Sequence, residues 1–190
     1  MILIIDNYDS FTYNVKQLLE SKYQDIKVIH NDVLSIEEIL ELQPKGIILS
    51  PGPSSPIDAG ICLELIKELP IDIPVLGICL GLQIIAQAYG ANIRHAKTIY
   101  HGKVDQIETN NTRLYSGIPE IIYATRYHSL IIENESLPKE FVVTGRSLTD
   151  QSIMSIQHTS RPLYGVQFHP ESYMTEFGVQ IINNFVNLIN

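Results

Sequence analysis

Cys79 lies in the run Gly77-Ile78-Cys79-Leu80-Gly81, between two glycines. The apolar stretch Pro74-Val75-Leu76 leads into it, and a helical pattern, Leu82-Gln83-Ile84-Ile85-Ala86-Gln87-Ala88, follows. A nucleophile flanked by glycines at a strand-to-helix turn is an elbow, whose tightness holds the nucleophile in a strained backbone conformation. Glycines two residues to either side let neighbouring backbone come close without a Cβ in the way. The thiol then projects at the positive end of a helix, which favours the thiolate. Such a nucleophile needs a base, and the base needs a group to orient it. Gly165-Val166-Gln167-Phe168-His169-Pro170-Glu171-Ser172 supplies both. It falls at the end of a predicted strand, where α/β folds place their sites. His169 can take the thiol proton and later return one to a leaving amine. Glu171, two residues on across a stiff proline, can reach the far ring nitrogen and fix the tautomer. An attacked carbonyl also needs donors for its developing charge. The Leu80 N–H, directly after the nucleophile, is one. Gly52, in the turn Pro51-Gly52-Pro53-Ser54, is the candidate for the second.

These groups must be positioned by a framework, and the first half of the chain supplies one. Ile2–Ile5, Ile26–His30, Gly46–Leu49 and Val75–Ile78 read as buried strands. Helical segments alternate with them: Phe11–Tyr23 with Ser10 as N-cap, a helix through Leu42 opened by the capping box of Ser35 and Glu38, and Asp58–Leu69. Continuous apolar strands alternating with helices imply a parallel sheet covered on both faces. The second half changes character. Ile93–His95, Val104–Glu108, Ile121–Arg126, Phe141–Arg146, Ile153–Gln157 and Leu163–Phe168 read as strands separated by short polar loops, before a closing helix from about Thr175 to Leu188. The expected fold class is α/β: a mostly parallel central sheet with helices on both faces and an antiparallel extension. No repeat or linker interrupts residues 1–190, so one domain is the simplest reading.

Composition narrows the function. The 190 residues are 45% hydrophobic, enough for a full core, and carry a net charge of -8. No basic cluster suggests a nucleic-acid surface. No apolar run approaches the ~20 residues that cross a bilayer. Met1-Ile2-Leu3-Ile4-Ile5 meets Asp6 at once and lacks the basic flank of a signal peptide. Cys62 and Cys79 could pair, but an elbow thiol locked in a disulfide is useless, so free thiols in a reducing compartment, cytoplasm or organelle stroma, are expected. No Cys/His set has zinc spacing, and no metal or cofactor is expected in this chain.

Taken together, the motifs resemble one family along essentially the whole length. They are Asp6-Asn7-Tyr8-Asp9-Ser10-Phe11-Thr12-Tyr13-Asn14, Ser50-Pro51-Gly52-Pro53, the Cys79 elbow, His101-Gly102-Lys103, Arg126-Tyr127-His128-Ser129-Leu130 and His169-Pro170-Glu171. The chain resembles the class I, triad-type glutamine amidotransferases. Within them it is most similar to the glutaminase subunits of anthranilate synthase and aminodeoxychorismate synthase. The resemblance implies a flavodoxin-like fold and a catalytic triad of Cys79, His169 and Glu171. It implies an oxyanion hole from the Gly52 and Leu80 backbones, and glutamine binding by Gly52, Pro53, Ser54, Gln83, Ser129 and Leu130. It also implies glutamyl thioester formation on Cys79, and ammonia passed to a chorismate-binding synthase subunit in a heterodimer or heterotetramer. The resemblance further implies that Asp9, Ser10, His101 and Lys103 lie at that partner interface. Two positions depart from the family pattern, Ser54 where glycine is frequent and Leu82 where histidine is.

Plainer readings stand beside these. Cys62 sits among Ile61, Leu65 and Ile66 and reads as core. His30, His95 and His158 lack motif context, and His128 reads as structural. His101-Gly102-Lys103 also reads as a simple turn, and Asp9 and Ser10 as helix caps. A peptidase on a similar sheet is the rival enzyme; it would cleave peptides and ignore free glutamine. A binding module without activity is the other rival, and the intact triad argues against it.

Overall fold

The computed structural model describes residues 1–189. Strands β1 (Ile2–Asp6), β2 (Ile26–His30), β3 (Gly46–Leu49) and β4 (Val75–Ile78) alternate with helices α1 (Thr12–Glu20), α2 (Ile36–Glu41) and α3 (Cys62–Glu68). Helix α4 (Leu80–Ala88) follows β4 at once. Then come β5 (Ile93–His95), β6 (Lys103–Thr109), β7 (Ile121–Arg126), β8 (Leu130–Ile132), β9 (Phe141–Ser147), β10 (Ile153–His158), β11 (Leu163–Val166) and α5 (Gly178–Val186). Nine strands form one sheet in the order β2-β1-β3-β4-β11-β10-β9-β6-β7, while β5 and β8 pair apart from it. The fold is the mixed α/β arrangement expected of the sequence, with helices packed on a large sheet.

Strand composition explains which part of the sheet is which. All five residues of β1 are buried, and β3, β4 and β11 are buried throughout, because helices cover both faces of the parallel part. Ile2 and Ile4 point to the face packed by Val15, Leu19, Ile181 and Phe185 of α1 and α5. Leu3 and Ile5 point to the opposite face, with Ile39, Leu65 and Ile85 of α2, α3 and α4. In β6, by contrast, buried and exposed residues alternate, the mark of an antiparallel strand with one wet face.

Several sequence expectations are corrected. Leu163–Val166 belongs to the parallel part, running alongside β4 and antiparallel only to β10. It stops before Gln167, so Gln167–His169 leave the strand and can turn into the site. Ser10 does not cap α1. The N-cap is Phe11, without a side-chain bond, and Asp6 instead accepts from the Asp9 N–H and the Thr12 hydroxyl. Phe11–Tyr23 therefore shortens to Thr12–Glu20, and Asp58–Leu69 splits into a 3-10 turn at Pro56–Asp58 and a helix that starts at Cys62. The Ser35–Glu38 capping box forms as expected. The short strand β8 has no counterpart among the sequence expectations; it starts at the last residue of the Arg126–Leu130 motif and is set by pairing with β5 rather than by a pattern of its own.

Candidate active site

The elbow follows from steric facts around β4. Cys79 adopts φ 53° and ψ -101°, a left-handed conformation that costs a non-glycine residue of order 1–3 kcal/mol. Its N–H is anchored to the Val166 carbonyl at 2.7 Å, which ties the end of β4 to the end of β11. A Cβ at Gly77 would land on the Gly81 backbone, and one at Gly81 on the Leu49 carbonyl of β3. Both positions therefore require glycine for α4 to begin immediately over the strands. Leu80 is the first residue of that helix, so its N–H has no intrahelical acceptor.

The base and its orienter come from the turn after β11. The His169 Nδ1–H donates to Glu171 Oε1 at 2.5 Å, and both side chains are buried. This leaves Nε2 as the ring atom facing outward from the pair, and among the described residues Nε2 has no hydrogen-bond partner of its own. Burial alone would push the imidazole down. The negative charge of Cys79 outweighs it, with help from Glu171, and holds the imidazole well above its ordinary value. A ring raised in this way favours an ionised sulfur opposite it mainly through charge. Two aromatic rings wall the imidazole, Tyr127 at 5.1 Å and Phe11 at 6.1 Å between centroids, and His101 is set edge-on against Tyr127 behind them. Asp9 lies close enough to feel both His169 and Glu171. Burial raises its carboxyl, and the Phe11 N–H pulls the other way.

A cavity of about 170 Å³ opens over the thiol. All six residues expected to hold glutamine line it: Gly52, Pro53, Ser54, Gln83, Ser129 and Leu130, together with Cys79 and Leu80. Among the described residues the Gly52 N–H donates to no backbone carbonyl. Ser54 sits at φ 71°, the backbone that glycine adopts freely, so the departure from the family pattern keeps the turn at the cost of local strain. Leu82 is fully buried in the core face of α4 and takes no part in the pocket.

Tyr127 and His128 also line the cavity. They were not among the expected pocket residues, because what places them is distant in sequence. Arg126, fully buried, bonds Asp105 at 2.5 Å, Asp150 at 2.9 Å and Ser152 at 3.1 Å, and lies 3.5 Å over the Tyr100 ring. Its Nε–H donates to His128 Nε2 at 3.0 Å, so the opposite nitrogen, Nδ1, is the one that donates to the Leu130 carbonyl. Burial first, and the arginine charge second, push this imidazole down to about 3. The segment is pinned again by the Ala96 N–H on the Ser129 carbonyl and the Tyr100 N–H on that of His128.

Of the expected interface residues, Asp9 lies near His169, His101 is exposed and set edge-on against Tyr127, Ser10 is exposed beside Asp9, and Lys103 is exposed at the start of β6 opposite Arg126. Both cysteines are free. Cys62 is core, with its thiol pushed up to about 12 by burial. His30 stacks on Tyr8, and His158 accepts from the Ser160 and Arg161 N–H groups. Among the described residues no cluster of three or more His, Cys, Asp and Glu could hold a metal, and no helix is long and apolar enough to cross a membrane.

An α/β sheet with a cysteine elbow and a His–Glu pair at its carboxyl edge defines a class of cysteine-dependent hydrolytic proteins. The family model for glutamine amidotransferase class-I matches residues 3–188, and the chain belongs to that family. It is 47% identical to the aminodeoxychorismate/anthranilate synthase component 2 of Bacillus subtilis, over 98% of this chain and 95% of that protein. It is also 47% identical to anthranilate synthase component 2 of Cyanophora paradoxa, over the full length of both. A crystal structure from Thermoplasma acidophilum, named for one subunit of a GMP synthase, superposes with a TM-score of 0.88 at 28% identity, covering 99% of this chain and 92% of that one.

Proposed function

We propose that this chain is the glutaminase subunit of a chorismate-aminating synthase, in the first place anthranilate synthase. The observation that carries the chemistry is the buried Cys79–His169–Glu171 arrangement at the head of α4. The Cys79 thiolate attacks the side-chain amide carbon of glutamine, and the Gly52 and Leu80 N–H groups receive the oxyanion. The imidazolium of His169 gives its Nε2 proton to the departing nitrogen, which leaves as ammonia. The resulting glutamyl thioester is attacked by water, whose proton His169, now neutral, accepts. Collapse releases glutamate and restores the thiolate–imidazolium pair. Glu171 holds the ring and its charge throughout.

Substrate size supports glutamine over a peptide. The cavity is well below the roughly 300–1,000 Å³ typical of drug-sized ligand sites and suits one amino acid. The need for a partner is supported by the surface around it. Tyr8, Tyr13 and Tyr173, on segments flanking the triad, are 56%, 65% and 93% exposed. Tyrosine is enriched at protein–protein interfaces relative to the rest of a surface. Ammonia set free in water is protonated, so a synthase subunit seated there would shield its transfer and raise activity. Aminodeoxychorismate synthase is the second reading, favoured by the double name of the Bacillus subtilis relative.

In the complex, Cys79→Ser abolishes glutamine-dependent amination and leaves amination from ammonium salts intact. Retained glutamine use rejects the covalent mechanism. Pairing the chain with each type of synthase subunit, then identifying the aminated product by mass, assigns the branch.

A further inference from the structure

Gln167 is the residue between the strand β11 and the base, and it is completely buried. Its main chain is fixed by the Met154 carbonyl at 2.8 Å. Its side chain lies between the nucleophile and the pocket wall. Nε2 is 3.5 Å from Cys79 Sγ, and Oε1 accepts from Gln83 Nε2 at 3.0 Å. Gln83 Nε2 also donates to the Leu130 carbonyl at 3.0 Å.

The direction of this chain of bonds is not arbitrary. An amide nitrogen and oxygen have similar shapes, so orientation must come from the partners. A backbone carbonyl only accepts. Leu130 therefore fixes the nitrogen of Gln83 toward itself, and the second hydrogen of that nitrogen requires an acceptor, Gln167 Oε1. With its oxygen so engaged, Gln167 must turn its NH₂ toward the sulfur. The reverse orientation sets two NH₂ groups against each other and a carbonyl oxygen against a thiolate.

We propose that Gln167 is a neutral hydrogen-bond donor to the Cys79 thiolate, locked in place by Gln83 and Leu130, so that the wall of the glutamine pocket is wired to the nucleophile. A donor to the charged form of a group favours that form, and does so more strongly in a dry site. The contribution differs from that of His169. The imidazole changes charge during the reaction and is neutral when water attacks the thioester. The proton of the attacking water restores the imidazolium before the sulfur leaves, whereas the amide of Gln167 offers the same uncharged donor at every stage, before, during and after that transfer. The other ionisable groups facing this region are Glu171 behind His169, Asp9 on the loop after β1, and His128, held neutral; none of them donates to the sulfur. The role in turnover rests on the glutaminase reading, whereas the effect on the resting thiolate does not.

The test is the pH dependence of Cys79 alkylation by iodoacetamide in the full-length chain, with the labelled peptide located by mass. Cys62, raised to about 12, stays silent. Gln167→Met, similar in volume and without the donor, is expected to move the alkylation midpoint up by about one pH unit. Gln83→Met, which removes the lock but not the donor, is expected to move it in the same direction by less. With glutamine and the synthase subunit, Gln167→Met lowers kcat about tenfold, with KM changed less than twofold. A midpoint within about 0.2 pH unit of the parent in Gln167→Met overturns the proposal. If that variant does not fold, an unmoved midpoint in Gln83→Met does so. A shifted midpoint in a chain that leaves glutamine untouched would retain the donor and reject the glutaminase reading alone.

Discussion

His128 and His169 occupy the same buried site and are driven in opposite directions. His169 faces the Cys79 sulfur and the Glu171 carboxylate, and its imidazolium is favoured despite burial. A base raised on folding stabilises the fold fully below its unfolded value, about 6.5, and that contribution fades as pH rises through the raised value. His128 faces Arg126 and is held neutral down to about 3. Between about 3 and 6.5 the unfolded chain binds this proton and the folded chain does not, so stability falls with falling pH, by up to about 1.4 kcal/mol per pH unit. His128→Gln keeps an acceptor for Arg126 and removes the titration. Its urea-unfolding free energy is expected to lose less than that of the parent between pH 6.5 and 4.5, by about 1 kcal/mol or more. Equal slopes in the two proteins would show that His128 is not the group responsible. At Glu171 the prediction is kinetic. Glu171→Gln keeps a partner for Nδ1 but withdraws the charge that supports the imidazolium, so kcat with the synthase subunit falls at least 10²-fold, less than in Cys79→Ser.

The elements around the site divide into those announced by local pattern and those set by distant partners. The elbow was readable because one cysteine between two glycines, ahead of a helical stretch, leaves little choice of backbone. The His169–Glu171 pairing was readable because a two-residue spacing across a proline is local geometry. Tyr127 and His128 were not assigned to the pocket. Their placement depends on Arg126 reaching Asp150, 24 residues away, and on a three-residue strand pairing with β5. The cap expected of Ser10 failed because Asp6 at the end of β1 already satisfies the turn. Placing β11 among the antiparallel strands failed because its apolar run does not declare its direction; only the neighbouring β4 does. Helix α5 adds a link that no motif suggested. A Cβ at Gly178, its first residue, would strike the Pro170 carbonyl, the residue between base and orienter. Alanine ordinarily favours a helix by about 1 kcal/mol over glycine. Gly178→Ala is nevertheless expected to lower both the thermal midpoint and, at temperatures where it stays folded, kcat by at least about tenfold, since the turn carrying His169 and Glu171 must shift. Normal kcat in that variant would mean that the turn yields without moving the ring.

For the molecule as a whole, the parallel half supplies the nucleophile and base, while the antiparallel half supplies the far wall of the pocket, and Arg126 holds that wall. It joins the end of β7 to Asp105 on β6 and to Asp150 between β9 and β10. Burial works against ionisation of both carboxylates. Hydrogen bonds from Ser147 and Thr149 to Asp105, from Ser152 to Asp150, and from Arg126 to both hold them below the usual carboxylate range. Such a cluster contributes little net stability over an apolar filling, but removing one partner strands the opposite charge. Arg126→Met is therefore expected to destabilise the chain by about 3 kcal/mol at neutral pH, toward the lower end because Asp150 is partly exposed. The deficit should depend on pH in a defined direction. An aspartate lowered on folding adds stability above its unfolded value, about 3.9, and that stability is lost as pH falls through the lowered value. In the variant the carboxylates lose what lowers them and take up protons at higher pH, which relieves the stranded charge. The gap between parent and variant in urea unfolding thus narrows as pH drops from 7 toward 4. A gap that stays constant over that range assigns the loss to the packing volume of the buried arginine side chain and not to its charge, and glutamine affinity measured alongside reports whether the Tyr127–Leu130 wall has moved with it.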